Sequence, residues 1–271
     1  MEGIDIVFHA AALKHVPFCE YNPFEAIKTN VFGTQNVVES ARHYNIDRLI
    51  GISTDKAASP INTMGATKLL AEKIIMSAEE YKGLRKTLFC AVRFGNVIGS
   101  RGSVIPLFVK QAIENNEICV TDPEMVRFFM SIPQAVNLLF KSAYLTKGGG
   151  LFILKMPVIR LMDLAECIAD ILDEKKLINR NKLRIKIIGK RKGEKSNETL
   201  ISEEEADNIY ENSEMFYLQY IENSPIPDGF EKSEIKHYKS SDLNILNKQE
   251  IRNLIVNYLN DLINTKKYIE N

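Results

Sequence analysis

Ser53-Thr54-Asp55-Lys56 puts two hydroxyls, a carboxylate and an ammonium on consecutive residues, and a second ammonium, Lys68, follows in Met64-Gly-Ala-Thr-Lys68. Such a set can give and accept protons within one crevice, which is what general acid–base chemistry requires. The stretch follows Leu49-Ile50-Gly51-Ile52, a short apolar run of the kind that forms a buried parallel strand. Lys68 falls on the first turns of a helix continued by Leu69, Leu70, Lys73, Ile74 and Ile75. Ser53 to Lys56 is therefore expected at the carboxyl end of a strand, where open α/β sheets bind their ligands. The same residue types are common in loops and helix caps, so the spacing alone fits a structural turn equally well.

The elements around this stretch alternate. Ile4-Asp-Ile-Val-Phe8 reads as a buried strand, and His9-Ala10-Ala11-Ala12 after it offers small residues against which a flat ligand can lie. The pattern of Ala26, Ile27, Val31, Val37, Val38 and Ala41 predicts a helix over roughly Pro23 to Tyr44. Strands at Arg48–Ile52 and Thr87–Arg93 flank the helix that carries Lys68. Strands alternating with long helices indicate βαβ units and a parallel sheet. Beyond Phe94-Gly95-Asn96, helices are expected at Ile105 to about Asn115, Ser131–Leu145 and Leu161–Asp173, with strands at Ile118–Val120, Leu151–Lys155 and Arg184–Ile188. The tail ends in a helix whose Ile251, Leu254, Ile255, Tyr258, Leu259 and Leu262 form a packing stripe.

Composition sets the limits. The 271 residues are 45% hydrophobic and 26% charged, with zero formal net charge, which gives no electrostatic footprint for nucleic acid. That length holds one large domain or two unequal ones. Cys19, Cys90, Cys119 and Cys167 lack metal or redox spacing and read as buried reduced thiols; His9, His15, His43 and His237 lack ligand spacing, so no metal is expected. No apolar run reaches the ~18 residues of a membrane span, and no secretory signal precedes the first strand. A soluble, cytoplasmic protein without membrane contact is expected.

A series of words runs through the chain in order. They are Val7-Phe-His-Ala-Ala-Ala-Leu-Lys-His-Val16, Asn22-Pro-Phe-Glu-Ala26, Thr29-Asn-Val31, Gly33-Thr-Gln-Asn-Val37, Ser53-Thr-Asp-Lys-Ala57 and Met64-Gly-Ala-Thr-Lys68. Arg93-Phe-Gly-Asn-Val97, Gly102-Ser-Val-Ile-Pro106, Arg127-Phe-Phe-Met-Ser-Ile-Pro133, Lys155-Met-Pro157, Gly193-Glu-Lys195 and Ile201-Ser-Glu-Glu-Glu205 follow. From about Ile4 to Glu205 the chain thereby resembles the extended short-chain dehydrogenase/reductase proteins that act on nucleotide sugars. More narrowly, it resembles the capsular-polysaccharide type of UDP-N-acetylglucosamine 4,6-dehydratase. The resemblance implies an α/β fold, a Rossmann-like doubly wound parallel sheet lacking its first strands, with a smaller C-terminal substrate-binding region. Residues 1–97 would be the partial dinucleotide-binding domain, 98–231 the UDP-sugar region with some returning Rossmann elements, and 232–271 a C-terminal helical tail.

The resemblance further implies a dehydration by a redox route: hydride leaves C4 for NAD or NADP, water is lost across C5–C6, and hydride returns to C6. Thr54 would orient the 4-hydroxyl, Asp55 and Lys56 would handle the C5 proton and C6 hydroxyl in roles left open between them, and Met64 stands in the catalytic set where the wider superfamily has tyrosine. The cofactor would be met by Ala10, Ala11, Ala12, Asn30, Ser53, Lys68 and Phe94. UDP-sugar would be met by Lys14, Asn96, Ser103, Val104, Arg127, Arg191 and Glu194. Long helices, Pro23–Tyr44 and the one after Lys68, would pair copies into a homo-oligomer.

Departures from the family pattern are visible. No G-x-x-G-x-x-G occurs, so the chain is expected either to be an N-terminal truncation or to receive that half from a separate polypeptide, and alone to bind NAD(P) weakly. Lys192 replaces a proline of the Arg-Pro-Gly-Glu-Lys word, and Asn197-Glu198 lies where the family has His-Glu. A UDP-sugar 4-epimerase or reductase of the same superfamily is the alternative, disfavoured by Asp55-Lys56 and Met64; an inactive fragment or subunit is another.

Overall fold

The computed structural model describes residues 1–265; residues 266–271 of the expected tail lie outside the described residues. Strand β1 (Ile6–His9) leads through a loop to helices α1 (Val16–Tyr21) and α2 (Pro23–Ala26), a π turn (Ile27–Phe32) and α3 (Gly33–Tyr44). Then come β2 (Arg48–Ile52), α4 (Thr63–Tyr81), β3 (Leu88–Arg93), β4 (Asn96–Val97), α5 (Val104–Asn115), β5 (Glu117–Val120) and β6 (Val126–Met130). They are followed by α6 (Ile132–Leu145), β7 (Gly150–Leu154), β8 (Val158–Arg160), α7 (Leu161–Glu174), β9 (Arg184–Ile187) and β10 (Thr199–Ile201). The chain closes with β11 (Ile209–Glu211), β12 (Met215–Gln219), β13 (Glu231–Lys232), β14 (Tyr238–Lys239) and α8 (Lys248–Asn264).

The central sheet has the order β1-β2-β3-β7-β12-β11-β13. Its first four strands are parallel, as βαβ crossovers require, and β12 joins β7 antiparallel. Leu49, Ile50, Phe89 to Val92 and Leu151 to Ile153 are fully buried, the all-apolar signature of strands covered on both faces. The fold is thus the expected α/β arrangement. β1 pairs only with β2, so one of its edges is open among the described residues.

A second core lies beside the sheet, where Phe108 and Val109 of α5, Ile118 of β5, Leu164 and Ile168 of α7, and Ile255 of α8 cluster. Ile251, Ile255, Leu259 and Ile263 are the buried stripe of α8, so that helix closes this core. It begins only at Lys248, under an Asn247–Glu250 capping box; residues 231–247 before it carry the short strands β13 and β14. The cavity described next opens between the two cores. No described helix is long and apolar enough to cross a membrane.

The segment expected as one helix from Pro23 to Tyr44 contains the π turn. Its wider coil carries Asn30 inward to complete burial, and single π turns of this kind recur at functional sites.

Candidate active site

β2 ends at Ile52, but the chain stays alongside its neighbour. Ser53 N–H donates to Val92 O at 2.7 Å and Asp55 N–H to Phe94 O at 3.0 Å. Residues 53–56 therefore emerge at the carboxyl end of the sheet with fixed side-chain directions. Helix α4 follows, started by Asn62, whose Oδ1 accepts from Gly65 N at 2.8 Å. Gly65 is required by closeness: a Cβ there would lie 2.3 Å from Lys56 O, so any side chain would push the loop off the helix. The other amide end of Asn62 donates to Gly193 O at 2.9 Å, in a residue with φ +80 that favours glycine. One side chain thus ties the 53–65 segment to the 191–198 loop.

These elements enclose a cavity of about 500 Å³. On one side of it Lys68 is buried, and its Nζ donates to Ile52 O at 2.5 Å. Burial pushes its pKa down from 10.5 to about 8, with Glu72 opposing. Ser53 Oγ is buried beside it without a hydrogen-bond partner among the described residues. Ala10, Ala12, Phe94 and Met64 also line this side.

The other side is ionic. Lys56 Nζ lies 2.9 Å from Asp55 Oδ1 and 3.2 Å from Glu198 Oε1. Burial alone would lower the lysine, but the two carboxylates outweigh it and hold its pKa above the usual range. Thr54 Oγ1 donates to Asp55 Oδ1 at 2.9 Å. Arg127 Nε stands 3.7 Å from Glu198 Oε1, so two cations and two carboxylates balance. Burial lifts the Glu198 carboxyl above the ordinary range, against the pull of Lys56.

The residues expected from the sequence do not all reach the cavity. Thr54, Lys56, Met64 and Lys68 line it, as do Ser53, Ala10, Ala12 and Phe94, and so do Lys14, Asn96, Ser103, Val104, Arg191 and Glu194. Asp55 does not: it is fully buried beneath Lys56. Ala11 is absent from the wall, because alternate side chains of an extended loop point apart. Asn30 is also behind it. Its Oδ1 accepts from Leu13 N at 2.7 Å and its Nδ2 donates to Leu13 O and Thr67 Oγ1, both at 3.0 Å, so its amide fixes the 10–13 loop.

Arg127, expected as a phosphate fork, is 7% exposed. Its Nη1 donates to Val126 O and Ser196 O, and its Nη2 to Lys195 O and toward Met125 Sδ. Every terminal N–H is spent on the 195–196 loop and its own strand, so Arg127 straps the loop instead of presenting a free guanidinium. Glu194 Oε2 accepts from Arg191 N at 3.0 Å and closes that turn.

His9 supports the same wall from below. Thr34 gives its only proton to Asn30 O at 2.7 Å, so His9 Nε2, 2.9 Å from Thr34 Oγ1, must be the donor of that pair. Burial, then the nearby Lys68 charge, hold its pKa below the usual value.

This arrangement can be set beside known proteins. Residues 1–220 match the sequence profile described as polysaccharide biosynthesis protein. The chain belongs to the polysaccharide biosynthesis protein family. Among curated relatives, an uncharacterized membrane protein of Methanocaldococcus jannaschii is 51% identical over 261 residues, 96% of this chain and 77% of that protein. A UDP-glucose 4-epimerase of Rickettsia bellii is 38% identical over 268 residues, 95% of this chain and 75% of that protein. The capsular polysaccharide biosynthesis protein CapD of Staphylococcus aureus is 47% identical over 200 residues, 73% of this chain and 32% of that protein. Among solved structures, Pen from Bacillus thuringiensis superimposes with a TM-score of 0.90 at 46% identity, covering 96% of this chain and 77% of that one. The dTDP-glucose 4,6-dehydratase DesIV of Streptomyces venezuelae, solved with NAD and TYD bound, shares the fold at a TM-score of 0.62 and 20% identity, over 71% of this chain and 63% of that one.

Glu198 is the site residue of this family member that the sequence did not single out. Its one signal was the altered His-Glu word, where the acidic residue remains although its neighbours change. Sequence spacing gives no hint that a residue so far along the chain closes the ion cluster around Lys56.

Proposed function

We propose that the chain is an NAD(P)-dependent nucleotide-sugar 4,6-dehydratase that converts UDP-N-acetylglucosamine to a 4-keto-6-deoxy sugar for polysaccharide synthesis. The observation that carries this is the ammonium–carboxylate cluster that Lys56 forms with Glu198 on the cavity lining and with Asp55 beneath it. An elimination needs an acid and a base within one sugar's reach; an epimerisation at C4 needs neither at C5 and C6. Met64, 4% exposed and lining the same cavity, brings no hydroxyl for a tyrosine-type base.

The residues fit the nicotinamide-ribose end of the cofactor. Among the described residues Ser53 Oγ is a buried hydroxyl without a partner and the Lys68 amine bonds Ile52 O; both would hold the ribose, with Ala10 and Ala12 behind the ring. When bound, the cofactor supplies acceptance of hydride from C4 and its return to C6. No described glycine turn joins a strand to a helix N-terminus in a pyrophosphate cradle.

The chain's own groups then act in turn. Thr54, facing the cavity, orients the sugar 4-hydroxyl and passes its proton on. Lys68, lowered towards neutrality, keeps that proton transfer close to thermoneutral. Lys56, held as an ammonium, is the proton source for the departing C6 hydroxyl, and Asp55 holds Lys56 from beneath. Lys14, Arg191 and the Ser103–Val104 end of α5 meet the UDP diphosphate, since Arg127 is spent on the loop.

The relative named UDP-glucose 4-epimerase favours a second reading, inversion at C4 of the same substrate class. Mass spectrometry of the product separates the two. Loss of one water from UDP-N-acetylglucosamine supports the dehydratase; a product of unchanged mass supports the epimerase.

A further inference from the structure

Residues 99–103 lie between β4 and α5 and carry Ser100, Gly102 and Ser103 on the cavity lining. Resting on the reading of this cavity as a UDP-sugar site, we propose that Tyr258 of α8 is a positioning residue for it. Its ring holds the 99–103 loop so that the loop and the start of α5 meet the UDP diphosphate. The C-terminal helix then shapes the substrate site without touching substrate.

The loop does little to fix itself. Ser100 N–H donates to Val97 O at 3.2 Å and Ser103 N–H to Ser100 O at 3.0 Å, both local turns. Ser103 is the N-cap residue of α5 but makes no side-chain cap bond, and its buried Oγ has no hydrogen-bond partner among the described residues. Arg101 and Gly102 are exposed.

Two rings from elsewhere in the chain set its place. A Cβ on Gly99 would lie 2.3 Å from Tyr258 Cε2, with Cδ2 and Cζ at 2.8 and 2.9 Å, so the tyrosine ring packs directly on the glycine backbone. Three residues on, a Cβ on Gly102 would lie 2.7 Å from His15 Cε1. His15 itself lines the cavity, whereas Tyr258 does not.

The tyrosine is anchored in turn. Ile251, Ile255, Leu259 and Ile263 are the buried stripe of α8, and Tyr258 packs against the core that this stripe shares with α5 and α7. The loop it holds offers two hydroxyls, and the first N–H groups of α5 have no intrahelical partner, which suits an anion. Holding such a loop in its bound shape beforehand spares the ligand the cost of ordering it.

Calorimetric titration of the 271-residue chain with UDP, paired with urea unfolding of each variant, tests this. Tyr258→Ala is expected to bind UDP about 10-fold more weakly, the worth of one hydrogen bond to a charged group. Tyr258→Leu, which keeps apolar bulk for the core but not the ring, is expected to lose as much. Tyr258→Phe keeps the ring and is expected to bind like wild type. Ile251→Val, a loss of packing two turns earlier in the same helix, is expected to lower stability and leave UDP affinity unchanged. Wild-type affinity in both Tyr258→Ala and Tyr258→Leu overturns the proposal, and so does an equal loss of affinity in Tyr258→Phe or Ile251→Val. In each of those cases wild type still binds UDP and the reading of the cavity stands. A wild-type chain that does not bind UDP overturns both.

Discussion

Lys56 and Lys68 line one cavity, yet the protein drives them to opposite states. Lys68 is desolvated with the Ile52 carbonyl oxygen against its amine, and its pKa falls to about 8 despite Glu72. Lys56 is desolvated too, but two carboxylates surround it and raise its pKa. The difference teaches that burial alone does not set the charge of a lysine; the partners it is buried with do. One lysine is left able to change its charge near pH 8, and the other is fixed as an ammonium in an ion cluster.

Removing Lys56 should break this comparison most violently. Lys56→Ala leaves Asp55 and Glu198 buried without their nearest cation, with Arg127 and Lys195 further off, so we expect a loss of about 3–5 kcal/mol at pH 7, read by urea unfolding. Turnover should fall at least ~10²-fold. Because the folded pKa of Lys56 is raised, its stabilisation is complete below pH 10.5 and disappears as pH climbs through the folded value. An Ala variant as stable as wild type at pH 7 would remove the cluster from the account.

Lys68→Met should do the reverse. The depression from 10.5 to about 8 corresponds to roughly 3 kcal/mol of penalty for holding the charge. That penalty applies in full below pH 8 and fades as pH rises towards 10.5, where the unfolded lysine also loses its proton. The variant is therefore expected to be more stable at pH 7, with the advantage shrinking at pH 10, and to be inactive. Equal stability at both pH values would show that Lys68 is not penalised.

A smaller effect is expected at the joint between the walls. Asn62→Ala removes the α4 cap and the bond to Gly193 O, for a loss of about 1–2 kcal/mol in chemical unfolding. UDP should bind more weakly as well, because the 191–198 loop loses its tie; unchanged UDP affinity would detach that loop from the nucleotide.

The smallest effect on stability lies outside the cavity. Phe18, Tyr21, Phe24 and Phe32 stand exposed on α1 to the π turn, at 48%, 85%, 77% and 54%. Such a patch indicates a contact surface, and we expect a homodimer through it. Phe24→Glu should change monomer stability by no more than about 0.5 kcal/mol but shift sedimentation to the monomer. A wild-type chain already monomeric at micromolar concentration would refute the interface.

Most of the parallel sheet was legible because β2 and β3 are continuous apolar runs and α4 keeps its helical period. The π turn was not, since one extra residue per turn leaves no mark in composition. Strands β6 and β12 were overlooked, although both are almost wholly buried; next to helical patterns, short apolar runs do not declare their type. At the site, Lys56 and Lys68 could be read from local spacing along one strand–helix unit. The burial of Asp55 could not, because it depends on which way a single loop residue turns. The strap by Arg127 depends on carbonyls from a loop far along the chain, and so does the partnership of Lys56 with Glu198. Long-range pairing of charges leaves no periodicity to detect.

The central claim is the opposite charge control of the two lysines. Side-chain NMR of the chain labelled at lysine nitrogen and Cε, titrated from pH 6 to 11 and assigned with Lys56→Arg and Lys68→Arg, measures it directly. The account predicts that Lys68 titrates near pH 8 and that Lys56 is still protonated at pH 10.5. Two lysines titrating together at the ordinary value, or Lys56 losing its proton before Lys68, would contradict it.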